Sequence, residues 1–346
     1  MKRIMGSGAA LRASVGSGEI KSRFTPCLPF STEGRRPNPL SPKEAIHSPF
    51  TSKGFTLVEM IIVIVITGII GGMVALFFRA PLQQYADVAR RADMTDIADT
   101  ALRRIARDLR LALPNSVRVT SSGGTVYLEY LETIAGGRYS SATTPADCLN
   151  TSGCTKLTTT GNLVTGAAGA VSNALANGGT IVPGTSRVVV YNQYSNSPVN
   201  DCSGLNPSVY CAAASGGAPV ITGVANSAAN ADEDEISFAA HTFLPAGGSP
   251  YNRFLIVSQP VTYACTPGGT LTRYWGYAIQ PAQPTALGVL TAANPPALLA
   301  SNVGTVCNFT YDVVAQRSGL VTLHLGITRD DETVTLYSAM HVSNQP

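Results

Sequence analysis

Lys53-Gly54-Phe55-Thr56-Leu57-Val58-Glu59, followed by nineteen uncharged residues from Met60 to Phe78, is the stretch on which the architecture turns. At about 1.5 Å per helical residue the uncharged run spans roughly 28 Å, close to the hydrocarbon thickness of a bilayer. It is therefore expected to be a membrane-spanning helix. One carboxylate, Glu59, stands at its head. A charge costs about 2.5–3.5 kcal/mol at the centre of a bilayer and less at the interface. Glu59 either faces headgroup water at the boundary or awaits a cation.

Residues 1–53 hold nine of the 24 basic and three of the 21 acidic residues, with no helical or strand periodicity. That excess of positive charge ahead of the apolar run places the N-terminus in the cytoplasm by the positive-inside rule. Everything after Phe78 is then expected across the membrane. Without residues 1–53 the chain carries 15 basic against 18 acidic side chains. It has no basic patch interleaved with aromatics, so nucleic acid is excluded as a partner.

Pro81 lacks an amide hydrogen and is expected to kink or interrupt the helix just past the membrane. The pattern then resumes. Met94, Ile97, Ala101, Ile105, Leu109 and Ala112 recur at three- and four-residue steps, while Arg90, Arg91, Asp93, Asp99, Arg103, Arg104, Arg107, Asp108 and Arg110 take the other face. Leu113-Pro114 ends the pattern, because the residue before proline disfavours helix. The reading is a transmembrane helix over 55–78 and an amphipathic helix over 79–113.

Residues 114–346 read as a β-rich globular domain with Gly, Ser, Asn and Pro clusters between short strands. Candidate strands are 125–131, 187–193, 235–240, 254–258, 273–279 and 309–314. The clearest signal is a hairpin: Val321, Leu323, Leu325 and Ile327 alternate with polar residues, as do Val334, Leu336 and Met340, across an Arg329-Asp330-Asp331-Glu332 turn. An α+β fold follows, with an antiparallel sheet packed on the long helix.

Six cysteines follow the span: Cys148, Cys154, Cys202, Cys211, Cys265 and Cys307. An even number beyond the membrane suits an oxidising periplasm or surface. Nearest-neighbour pairing gives Cys148–Cys154, Cys202–Cys211 and Cys265–Cys307, one of 15 connectivities. No Cys-x-x-Cys and no paired His stands at zinc spacing. Asp232-Glu233-Asp234-Glu235 lacks the alternation and glycine of an EF-hand loop. It reads as a solvated loop, with Asp232 and Asp234 weak metal candidates. His241, His324 and His341 are scattered, the last two on solvent-facing strand positions. Tyr274, Trp275 and Tyr277 read as a packed strand before a carbohydrate platform. Gly-x-Ser-x-Gly, HExxH and the phosphate loop are absent. The sequence shows no catalytic site and implies no cofactor.

The stretch from Lys53 to Glu59 ahead of its apolar run resembles the processing site of type IV prepilins. The resemblance implies a leader (1–54) cut after Gly54 by a prepilin peptidase, N-methylation at Phe55, and subunit docking by Glu59. The leader is longer than is usual in that family, which points to a start codon assigned too far upstream. After cleavage the Phe55 ammonium lies about one helical turn from Glu59. It pairs there within the chain, or meets Glu59 of a neighbour and sets the stagger of a filament. The helix exit from Ala106 to Val119 and the terminal Met340–Pro346 resemble the MshO-like minor pilins of the mannose-sensitive haemagglutinin (MSHA) type IV pilus. That resemblance implies a non-enzymatic protein in the inner membrane, then in a surface pilus. Its partners would be major and minor pilins, the inner-membrane assembly platform and lipid. The J-type minor pseudopilins of type II secretion share the N-terminal helix, and a tip adhesin is the third alternative.

Overall fold

The computed structural model describes residues 54–140, 153–161, 163, 180–193, 208–211, 217–228, 230, 232–243, 248–315 and 318–345. Residues 1–53 of the proposed leader, Cys148 and Cys202 lie outside the described residues. The chain divides into two units, residues 1–67 and 68–346. In the first, 54–56 precede the helix and α1 (Leu57–Leu109) begins.

In the second unit α1 runs through Pro81 without the interruption, one of the two outcomes expected there. One missing amide removes a single hydrogen bond, and the turns on either side keep theirs. The helix ends at Leu109, four residues short of the expected stop. The amides of Arg110, Leu111 and Ala112 bond back three residues, to Arg107, Asp108 and Leu109. The Leu113 amide then donates to the Leu131 carbonyl at 2.8 Å, so a strand takes over the backbone before Pro114 is reached.

Twelve strands occupy the described residues: β1 (Arg118–Ser122), β2 (Thr125–Arg138), β3 (Cys154–Thr158), β4 (Arg187–Val189), β5 (Ile221–Asn226), β6 (Asp234–His241), β7 (Arg253–Cys265), β8 (Leu271–Trp275), β9 (Ala297–Ala300), β10 (Val303–Ala315), β11 (Ser318–Arg329) and β12 (Glu332–Ser343). They form three antiparallel sheets. The first is ordered β1-β2-β7-β8-β9, with β4 also on β7; the others are β10-β11-β12 and β3-β6-β5. β2, β7 and β10 are longer than the strands expected at 125–131, 254–258 and 309–314, and β1, β3, β5 and β9 lie where no strand is expected from the sequence. Buried runs such as 127–131 and 260–265 do not alternate, because both faces of those strands are covered.

Of the expected stripe on α1, Met94, Ala101, Ile105 and Leu109 are buried in one core together with Ala98 and Leu102, while Ile97 and Ala112 are half-buried against it. Opposite them stand Leu128, Tyr130, Val261 and Tyr263 of the first sheet and Phe309, Val321, Leu323, Leu325 and Ile327 of the second. Truncating such a side chain, Ile105→Ala for instance, costs about 2–5 kcal/mol.

The β11–β12 hairpin turns where the sequence placed it. Asp330 and Asp331 both have positive φ (51° and 61°), the type I′ geometry that matches the twist of paired strands. Aspartate tolerates that region less readily than glycine, and ion pairs to α1 flank the turn. Arg90 reaches Asp330 at 3.3 Å and Glu332 at 3.5 Å, Arg91 pairs with Glu332, and Arg329 reaches Asp93 at 2.6 Å.

Arg118 and Glu129 face each other across β1 and β2 and are 1% and 0% exposed. Two guanidinium nitrogens bond one carboxylate oxygen, at 2.7 and 3.1 Å. Arg118 also donates to the carbonyls of Gln280 and Pro281 and lies 3.6 Å over the Tyr210 ring. The Tyr277 hydroxyl donates to the other Glu129 oxygen at 2.9 Å. Burial pushes the Glu129 carboxyl up, and the Arg118 charge opposes that shift.

Two outcomes are expected. Glu129→Ala leaves a buried guanidinium without its anion and should lower stability by about 3–5 kcal/mol. Arg118→Met combined with Glu129→Leu should lose far less, as thermal unfolding of the detergent-dispersed chain will show. His241 is the second case: burial lowers its pKa from 6.5 to about 4. Between those values the unfolded chain binds a proton that the folded chain refuses, so stability falls as pH drops through this window. In His241→Gln that part of the pH dependence should vanish.

Candidate functional site

Thr56 starts the helix. Its hydroxyl accepts the Glu59 amide at 3.2 Å, and its carbonyl accepts the Met60 amide at 3.2 Å. Thr56-Leu57-Val58-Glu59 is thus the Thr-x-x-Glu spacing of a capping box, with Glu59 at the third helical position. A carboxylate there also complements the positive end of the helix dipole. The role of Thr56 escaped the sequence reading, although that spacing before an apolar run was the signal for it.

Phe55 is 83% exposed, and Gly54 and Glu59 are exposed beside it. No local constraint calls for glycine at 54. Its φ lies outside the left-handed region, and a Cβ placed there meets nothing within 4 Å. The apolar side chains that follow, from Leu57 to Phe78, are also exposed. Among the described residues one helix, α1, is long and apolar enough to cross a membrane. Thr67 satisfies its hydroxyl inside the helix, donating to the Val63 carbonyl at 2.6 Å. A lipid environment requires such an internal partner.

The remaining candidates serve the fold. Cys265 and Cys307 are bonded, with Cα atoms 6.1 Å apart, and link β7 to β10. Cys154 and Cys211 are also disulfide-bonded. Their expected partners, Cys148 and Cys202, lie outside the described residues.

Asp234 corrects the reading of the acidic run as a solvated loop, for it is buried at the start of β6. Its carboxylate accepts the Leu163 amide, and its own amide donates to the Thr159 hydroxyl. Asp232 is exposed, and no cluster of three or more possible metal ligands occurs among the described residues. His324 and His341 are exposed; His241 is buried against Phe243. Tyr274 and Tyr277 are buried and Trp275 half-buried, so no open aromatic platform forms.

Comparison with curated proteins and with solved structures gives no match to the chain. Residues 50–75 match the family model of the prokaryotic N-terminal methylation motif. The matched stretch contains Gly54, the Thr56 cap, Glu59 and most of the apolar run. The chain therefore carries a prokaryotic N-terminal methylation motif at the head of a pilin-like α+β fold.

Proposed function

We propose that this chain is a minor pilin of an MSHA-like type IV pilus, processed by a prepilin peptidase and taking part in priming or tip assembly of the filament. The observation that carries this reading is the methylation motif at 50–75 on an exposed, capped helix start. A glycine that the fold does not need, next to an exposed Phe55, suits a peptide bond read by another protein. Cleavage after Gly54 removes the leader and creates an ammonium at Phe55. In the membrane Phe55–Phe78 anchors the protein, with residues 79–346 periplasmic. On extraction into a filament the same apolar surface packs against other subunits, and Glu59 meets the amine of its neighbour. A misplaced subunit would leave a charge unpaired in low dielectric, so the pair sets axial stagger. The protein acts through assembly and not as an enzyme.

Gly54→Leu should leave the folded domain intact and block release of the leader, seen as an intact-mass increase in membrane extracts. Glu59→Leu should permit cleavage and methylation yet reduce incorporation at least tenfold. Normal incorporation of that variant removes the docking role of Glu59. Mass spectrometry of sheared surface filaments decides between systems. A trace of this chain beside the major subunit, beginning at methylated Phe55, supports the minor pilin. Mature protein held in the envelope and missing from abundant filaments supports a type II secretion pseudopilin.

A further inference from the structure

β12 forms one edge of its sheet, and no strand borders its outer side among the described residues. It pairs with β11 in unbroken register from Arg329↔Glu332 to Ser318↔Ser343. The two-residue turn makes Arg329 and Glu332 a hydrogen-bonded pair, and such pairs then alternate along the hairpin. The amides and carbonyls of Thr333, Thr335, Tyr337, Ala339, His341 and Ser343 consequently point away from β11. Twelve backbone groups thus stand in a row along a twelve-residue edge.

Sheet edges are ordinarily protected by proline, lysine, a bulge or shortness. β12 has no proline and no lysine, and its pairing shows no register shift. By contrast, β10 at the opposite edge has two shifts and contacts β2. The packing is also incomplete at β12. Val321, Leu323, Leu325 and Ile327 of β11 are fully buried, whereas Val334, Leu336 and Met340 on the same face of β12 are half-buried.

Direction restricts the occupant. The start of β12 lies by Arg90 and Arg91, and Asn115, past the end of α1, donates to the Asn344 carbonyl at 3.2 Å. β12 therefore runs in the same sense as α1. Antiparallel pairing of β12 with β12 of a second copy, about a two-fold axis perpendicular to the strands, would reverse one helix against the other. Subunits anchored in one membrane in one orientation cannot do that.

We propose that β12 is a docking edge that accepts a strand from a co-oriented neighbouring subunit, extending the β10-β11-β12 sheet across the subunit boundary. This rests on the assembly reading above. The incoming strand carries apolar residues at every second position, continuing the face of Val334, Leu336 and Met340. Uncharged residues alternate with them, beside Thr333, Thr335 and Tyr337.

Amide hydrogen exchange on the full-length chain tests this, comparing detergent-dispersed protein with the isolated assembly. In dispersed protein about six amides between 333 and 343 should exchange fast, and in the assembly they should slow at least ~100-fold. Ala339→Pro removes one outward amide, and Thr335→Lys places a charge at the edge. Each should keep the dispersed melting temperature within a few degrees and lower incorporation about tenfold. Should Ala339→Pro fail to fold, Thr335→Lys and the exchange data still decide. An assembled chain whose six amides remain fast overturns this proposal alone. So does a dispersed chain that is already a dimer with those amides protected, which identifies a second copy as the occupant. A chain found in no assembly overturns the functional reading together with this one.

Discussion

Burial of one apolar stripe on α1 against two sheets at once is the constraint on which the folded domain depends. The first sheet and the β10-β11-β12 sheet share no strand pairing, yet both present apolar side chains to Met94, Ala98, Ile105 and Leu109. Removing the helix would leave each sheet with an uncovered face, and neither sheet can satisfy the other without it. The Cys265–Cys307 disulfide spans the same junction from β7 to β10. Closing 42 residues, it restricts the unfolded chain by about 4 kcal/mol on the chain-entropy account.

Charges have two distinct uses here. The solvent-facing pairs between α1 and the β11–β12 turn, such as Arg329–Asp93, are each worth about 0–1 kcal/mol. Their importance is geometric, since they seat a turn with two left-handed aspartates against a particular helical turn. Arg118–Glu129 is a different case. Two charges removed from water are matched by carbonyls, hydroxyls and a stacked Tyr210, and the cluster ties β1 and β2 to Tyr277, Gln280 and Pro281. Such a pair adds little net stability over apolar residues. Breaking one side is severe, so it selects one arrangement of those segments.

The same helix carries two kinds of apolar surface. From Leu57 to Phe78 the apolar side chains are exposed, and from Met94 onward those of one stripe are buried by the sheets. Thr56 and Glu59 complete the exposed part, because the hydroxyl that satisfies an orphan amide also sets where the helix starts. Glu59 thereby stands at the third helical position.

The N-terminal motif, the apolar span, the amphipathic stripe and the β11–β12 hairpin were all legible in the sequence. Each is a local pattern whose period or spacing is set by the geometry of one element. The Thr56 cap and the pair at Arg118 and Glu129 left fainter marks. The latter are equidistant from Gly123-Gly124, a turn whose φ values of 58° and 81° need glycine. Other features left none. That Pro81 would be tolerated, that Asp234 would be buried, and that β12 would run beside α1 with a bare edge depend on residues far apart in the chain. Periodicity reports what one element requires of its surroundings. Which surroundings meet that requirement is decided by the packing of all elements together, and only the tertiary structure holds that information.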